Sequence, residues 1–154
     1  MKKILIIALF LSIGLNVFLA YTFLVKGDTM AIPNDNRVAI ITTKENKDFV
    51  MAEMRGFLET VKAINDGMIE NNPEKIIVAA HKAGGAATEH APAGLLKVLP
   101  IGFKKLGFDT HDKFDELAEA VKSRYDKDQT QKQLSSILGN CTSCHQSYKF
   151  ETKQ

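Results

Sequence analysis

The chain has 154 residues, 45% of them apolar and 25% charged, which is typical of one folded domain and excludes a disordered or collagen-like chain. Two cysteines are too few for a disulfide-dense scaffold, and a formal net charge of +2 is too small to predict nucleic-acid binding. We therefore expect no nucleic-acid partner, and composition alone indicates no other one.

An uncharged segment begins the chain. Residues 4–25 carry no charge and lie between Lys2 and Lys3 on one side and Lys26 on the other. At 1.5 Å per residue, a helix of this length spans a hydrocarbon core of about 30 Å. The alternative is a cleaved secretory signal, but its apolar stretch is usually only about 7–15 residues long and ends in a small-x-small site, which this segment matches poorly. We predict residues 1–26 to be a membrane anchor.

The lysines around the span also predict its orientation. Two of them precede it, which favours an N-terminus that stays in the cytoplasm and export of the rest of the chain. We therefore predict an inner-membrane protein with its folded domain in the periplasm. Residues 27–45, which include Gly27 and Pro33, are predicted to be a linker that lifts this domain off the membrane. Their one strand-like run, Val38–Ile41, has no predicted partner strand, and we expect it to dock on the helices.

Beyond residue 46 the apolar residues recur at helical rather than strand spacing. The first predicted helix, residues 46–69, has apolar residues alternately three and four positions apart, the pattern of a helix that packs in a bundle. Asn72 as N-cap and Pro73 at the first helical position predict the start of a second helix. Two amphipathic helices therefore come first in the folded domain.

The second half of the domain follows the same pattern. Pro100 lies within a strongly apolar segment and predicts a broken helix there, after which Asp109 or Thr110 is expected to cap the next helix. The last helix carries an apolar stripe that includes both cysteines. Four amphipathic helices with short connections predict an all-α domain over residues 46–154, an antiparallel four-helix bundle preceded by the N-terminal transmembrane helix.

The last predicted helix contains a C-x-x-C-H run, Cys141-Thr142-Ser143-Cys144-His145, the pattern of covalent haem c attachment. Positions i, i+3 and i+4 of a helix share one face. Two thiols can therefore bond the vinyl groups at one porphyrin edge while the imidazole reaches the iron. We predict one haem c, held covalently by Cys141 and Cys144 and ligated axially by His145.

Three other interpretations of the motif compete with haem attachment. A thioredoxin-like redox pair needs a βαβ context, which the sequence does not predict. Half of a zinc site needs a second ligand pair, whereas His81, His90 and His111 stand singly. A plain disulfide is the third alternative. In an exported chain, haem c attachment is the interpretation that we favour.

The last helix also carries a family resemblance. The run Leu138-Gly139-Asn140-Cys141-Thr142-Ser143-Cys144-His145-Gln146-Ser147-Tyr148-Lys149 is similar to the haem helix of class II c-type cytochromes, the cytochrome c-prime and cytochrome c-556 group. The resemblance implies an up-and-down four-helix bundle whose haem iron is held by His145. It also implies either a methionine from the first helix on the other side of the iron or an empty position there, and it suggests a homodimer formed through the first two helices.

By that resemblance, the sixth iron ligand is expected to be Met54, on the inward face of the first helix. Met51, one turn away, and a histidine are the alternatives, and a methionine at this spacing is also an ordinary core residue. The family usually has an arginine one turn before the distal position, where this chain has Val50. Arg55 follows Met54 directly and is the candidate partner of a haem propionate.

These expectations define a function. We expect that the protein is not an enzyme. We expect a membrane-anchored monohaem cytochrome that passes single electrons to and from redox partner proteins. A methionine and histidine pair favours this role by raising the reduction potential. One alternative is a five-coordinate haem protein that binds NO or CO at an open distal site. Another is a haem-bearing subunit of a larger membrane complex.

Overall fold

The computed structural model describes residues 2–152, so the terminal residues of the predicted anchor and haem domain, Met1 and Lys153–Gln154, lie outside the described residues. The protein is mostly helical, with 77% of residues in helices. The helices are α1 (Lys2–Ala20), continued by a π-helical segment (Tyr21–Lys26), α2 (Lys44–Glu70), α3 (Pro73–Lys82), a 3₁₀ segment (Gly85–His90), α4 (Leu95–Val98), α5 (Ile101–Ser123) and α6 (Lys127–Ser147). Three strands complete the described fold: β1 (Thr29–Ile32), β2 (Asp35–Thr42) and β3 (Tyr148–Thr152).

The N-terminal helix is exposed over its apolar length. Residues Lys2–Lys26 form one helical element whose most apolar window has a mean hydropathy of 2.5 and is not buried by other residues. Its length and composition suit a membrane span, as predicted, although a signal sequence passes the same test. The structure therefore confirms an apolar N-terminal helix.

The start of α3 confirms a local sequence signal. Asn71 ends α2 in the left-handed conformation, with φ of 52°. The side-chain oxygen of Asn72 then accepts a hydrogen bond of 3.1 Å from the backbone amide of Lys75, and Pro73 takes the first helical position. The tight turn between α2 and α3 makes these two helices packed neighbours.

The predicted helix start at Asp109 or Thr110 is wrong. α5 begins directly after Pro100 and continues without a break to Ser123, so both residues lie inside it. The Thr110 hydroxyl donates a 2.7 Å hydrogen bond to the carbonyl of Leu106, one turn earlier. Because the hydroxyl is satisfied within the helix, it does not act as a cap.

The segment predicted as a linker, residues 27–45, instead contains β1 and β2, which pair as an antiparallel hairpin. β2 also pairs in parallel with β3, with Ile40 opposite Phe150, so the order in the sheet is β1-β2-β3. The domain is thus not all-α, and the strand-like run does have partners. Its predicted docking is confirmed, because Ile40 is fully buried and packs in one cluster with residues of α4 and α5.

Two clusters of buried side chains form the core. The larger one is shared by α2, α3, α5 and α6 and includes Ile64, Met68, Ile76, Phe114, Leu117, Leu134 and Ile137. The smaller one joins the sheet to α2, α4 and α5 through Ile40, Val50, Leu95, Leu99 and Phe103. Half-buried Met51, Met54 and Cys144 pack against this second cluster. The second cluster therefore connects the strands to the predicted site residues.

Replacing Ile40 with alanine tests whether the strand segment belongs to the core. Since the side chain is fully buried, we expect Ile40→Ala to lower the free energy of unfolding by about 2–5 kcal/mol. Val38→Ala, on the same strand but with 39% of the side chain exposed, is the matched control and should have a smaller effect. Urea unfolding of the detergent-solubilised chain, followed by circular dichroism, measures both. Equal effects would contradict a core role for β2.

Candidate functional site

A cavity of about 600 Å³ lies between α2, α4, α5 and α6. This volume falls within the range of about 300–1,000 Å³ that small-molecule and cofactor sites occupy. Most of its lining side chains are apolar, and the ionisable ones are Glu53, Arg55, Lys104, His111, Cys141, Cys144 and His145. Its volume and the ionisable side chains along its mostly apolar wall make the cavity the candidate functional site.

The C-x-x-C-H residues line this cavity from α6. Cys141 and Cys144 are half-buried free thiols, and His145 is more exposed. The motif therefore forms part of the cavity wall rather than of the closed core. All three functional groups reach the same volume because the motif is helical throughout, as its spacing predicts.

Burial changes the acidity of both thiols. Desolvation raises the pKa of Cys141, and desolvation, followed by repulsion from the charge of an ionised Cys141, raises the pKa of Cys144 to about 11. The folded chain therefore holds both cysteines as protonated thiols at neutral pH. A thiol reacts much more slowly than a thiolate, so the folded state keeps them unreactive.

A polar network fixes the motif against α5. The Asn140 amide donates hydrogen bonds to Asp109 Oδ2, at 2.6 Å, and to Thr110 Oγ1, at 3.3 Å. The Lys113 ammonium binds the same Asp109 carboxylate. Hydrogen bonds from Lys113, which has the larger effect, and from Asn140 hold the pKa of the Asp109 carboxyl below its ordinary value. Because Asn140 immediately precedes Cys141, this network sets the position of the first thiol relative to α5.

The predicted distal residues line the same cavity from α2. Met51 and Met54 are both half-buried there, and Arg55 lines the cavity while remaining exposed. α2 packs on α3, α3 on α5, and α5 on α6. α2 and α6 are therefore the two ends of this series, and both line the cavity. The structure thus brings all five predicted site residues, and Met51, to one volume.

His111 is a cavity residue that the sequence interpretation missed. Its Nδ1 lies 2.7 Å from the carbonyl oxygen of Ala83, to which it must donate, and its ring centroid is 5.0 Å from that of Phe57. The predicted helix start at Asp109 or Thr110 puts His111 in a first helical turn, and we assigned it no contact there. Treating α5 as continuous from Pro100 puts His111 on the helix face of Phe114, and that periodicity could have found it.

The other two single histidines do not reach the cavity. The ring of His81 lies between two carboxylates of α5, with Nδ1 3.1 Å from Asp115 Oδ1 and Nε2 3.4 Å from Glu119 Oε1. His90 ends the 3₁₀ segment and is exposed. Neither of them lines the cavity, so α5 and α6 supply its imidazoles.

Comparisons with protein-family models, with curated proteins and with solved structures return no match for this chain. Within residues 2–152, no group of three or more His, Cys, Asp or Glu side chains is placed to hold a metal ion. The assignment of a function therefore depends on the cavity and on the chemistry of the residues that line it.

The raised thiol pKa predicts a pH-dependent reactivity. In the folded chain with free thiols, alkylation of Cys144 by iodoacetamide should increase with pH with a midpoint near 11, against an ordinary value of 9.0. The folded chain keeps the Cys144 proton to a higher pH than the unfolded chain, so the protonated thiol adds to the free energy of unfolding. This addition is complete below about pH 9 and is lost as the pH rises towards 11. Mass spectrometry quantifies the alkylation, with the denatured chain as the control. Equal midpoints in both states would contradict the burial of Cys144.

Proposed function

We propose that this chain is a membrane-anchored monohaem c-type cytochrome that passes single electrons on the periplasmic side of the inner membrane. The observation that carries the proposal is the convergence of Cys141, Cys144 and His145 on a single apolar cavity of cofactor size. In this proposal α2, α3, α5 and α6 are the four helices of the haem-holding bundle, and α1 remains uncleaved as the anchor.

The residues that line the cavity fit a haem c. Two thiols three residues apart and an adjacent imidazole lie on one wall, as covalent attachment at one porphyrin edge and axial ligation require. The apolar side chains of α4 and α5 suit a porphyrin face, and the half-buried thioethers of Met51 and Met54 lie on the wall formed by α2. With His145 alone these residues would complete a five-coordinate haem iron, and with one of the two thioethers as well they would complete a six-coordinate one.

Each residue has a distinct role in this proposal. Cys141 and Cys144 would hold the group covalently, and His145 and Met54 would ligate its iron. The exposed Arg55 guanidinium would pair with a propionate at the cavity edge. Haem bound here supplies an iron that accepts and releases one electron.

The lining and the rim of the cavity support the proposed electron transfer. The mostly apolar lining lowers the polarity of the site, and the polarity around a cofactor is one of the means by which a protein sets a reduction potential. At the exposed rim of the cavity, Leu58 and Leu138 offer a contact surface for redox partner proteins or a second copy of the chain.

Removal of both thiols tests covalent attachment. In cells that carry a haem c maturation system, the full-length protein should retain haem on a denaturing gel, and Cys141→Ser with Cys144→Ser should abolish the haem stain. Thr142→Ala with Ser143→Ala is the matched control, because these exposed residues lie between the cysteines and bond only the Gly139 carbonyl. Its stain should equal that of the wild type. An unstained wild type would refute the proposal.

The identity of the distal ligand distinguishes electron transfer from gas binding. We expect the reduced wild-type protein to be low-spin and unaffected by CO, and Met54→Ala to be high-spin and to bind CO. Met51→Ala, which lines the same cavity from the preceding turn, is the control and should remain low-spin. Absorption spectra with and without CO measure this. A high-spin wild type that binds CO would favour an NO- or CO-binding protein instead.

A further inference from the structure

The end of the N-terminal helix contacts the domain through two lysines. Lys104 Nζ donates hydrogen bonds to the carbonyl oxygens of Phe23, at 3.3 Å, and Leu24, at 3.0 Å. Lys97 Nζ lies 5.8 Å from the centroid of the Phe23 ring. Carbonyls at the end of a helix lack backbone partners, so lysine is a favourable capping group there. α4 and the first turn of α5 are thus packed beside the end of the helix.

The next residues of the chain make this contact rigid. Gly27 has a φ of +66°, and a Cβ at this position would lie 2.6 Å from both Pro100 N and Val98 O. The backbone amide of Asp28 then donates a 2.8 Å hydrogen bond to the Val98 carbonyl. β1 begins at Thr29, so the chain passes from the helix into the sheet without a free spacer.

The length of the apolar segment indicates the depth of these contacts in a bilayer. A hydrocarbon core of about 30 Å takes about 20 helical residues, which, counted from Ile4, end near Phe23 and Leu24. Lys97 and Lys104 touch these two residues. Both lysines therefore lie at the level of the phospholipid headgroups.

The side chains around these lysines form one surface, which we call the membrane-facing patch: Leu96, Lys97, Ile101, Lys104, Lys105 and Phe108. All of them are exposed except Lys104, which is half-buried. Its α5 members are spaced i, i+3, i+4 and i+7, so they share one helix face. Leu96, Ile101 and Phe108 are 51%, 39% and 45% exposed. Apolar side chains between lysines are the composition of a helix that lies in a membrane interface.

We propose that the membrane-facing patch lies on the outer surface of the bilayer and binds the headgroups of anionic phospholipids. Its two exposed lysines, Lys97 and Lys105, are complementary to their phosphates, and its apolar side chains enter the boundary between headgroups and acyl chains. The inference rests on the proposed membrane anchor and is independent of haem. In this proposal the folded domain is held against the membrane in a fixed orientation. The sequence had instead predicted a linker that lifts the domain off the membrane.

This orientation also determines where the cavity opens. Leu96, Lys104 and Phe108 line the cavity as well as the patch. The part of the cavity rim that they form therefore faces the lipid. A redox partner that approaches this rim has to reside in the membrane or lie on its surface.

Lysine acetylation in nanodiscs tests the patch. The full-length protein, one copy per disc, is treated with a membrane-impermeant acylating reagent, and each lysine is quantified by mass spectrometry. Lys97 and Lys105 should be labelled about fivefold more slowly in discs with phosphatidylglycerol than in discs of phosphatidylcholine alone. Exposed Lys122 and Lys132 are internal controls and should not change; Lys122 lies 18 residues beyond Lys104 on α5, about 27 Å away.

Backbone hydrogen exchange over residues 95–108 provides a second measurement. It should be slower in phosphatidylglycerol discs, and Lys97→Gln with Lys105→Gln should remove the difference, whereas Lys122→Gln with Lys132→Gln should retain it. The proposal would be overturned if each of the four lysines were labelled at the same rate in both lipids. It would also be overturned if hydrogen exchange over residues 95–108 were equally slow in both lipids. A chain that is cleaved or leaves the disc would refute the anchor itself, an outcome distinct from an inserted chain with unprotected lysines.

Discussion

The parallel pairing of β2 with β3 is the constraint on which the rest of the structure depends. β3 follows directly from α6, and β2 follows closely from the N-terminal helix, so this ladder joins the two ends of the described chain. An ion pair of 3.1 Å between Lys149 and Asp35 and the contact of Phe150 with Phe103, at 5.3 Å between ring centroids, support it. The ladder fixes the C-terminal end of the helix that carries Cys141, Cys144 and His145 relative to the end of the N-terminal helix.

The cavity is a consequence of how the helices are connected around this sheet. Pro100 separates α4 from α5, so α4 closes one side of the cavity while α5 continues along another. The larger core cluster holds the opposite halves of α2, α3, α5 and α6 together without help from the site. The cavity can therefore stay open between α2 and α6 and still be surrounded by rigid elements, which is what precise placement of a cofactor requires.

The site and the N-terminal helix share structural elements. Lys104 lines the cavity and also caps the carbonyls of Phe23 and Leu24, and Leu99 packs in the smaller core beside the tight turn at Gly27. In the proposed cytochrome, the group that carries the electron thus has a defined position relative to the bilayer. A fixed orientation limits which partners reach the rim, whereas a flexible linker would present it to partners from any direction.

The sequence by itself determined the features that depend on local chemistry. Helical periodicity predicted α2 and α6, Asn72 and Pro73 predicted the start of α3, and the spacing of the C-x-x-C-H run predicted that its three functional groups share one helix face. The presence of haem remains a prediction. Only the tertiary structure decided that residues 29–42 form strands and that His111 and Lys104 line the cavity, because β2 finds its parallel partner more than 100 residues away. Local spacing marked Val38–Ile41 as strand-like but could not identify so distant a partner, and what a side chain faces depends on packing rather than on its neighbours in the chain.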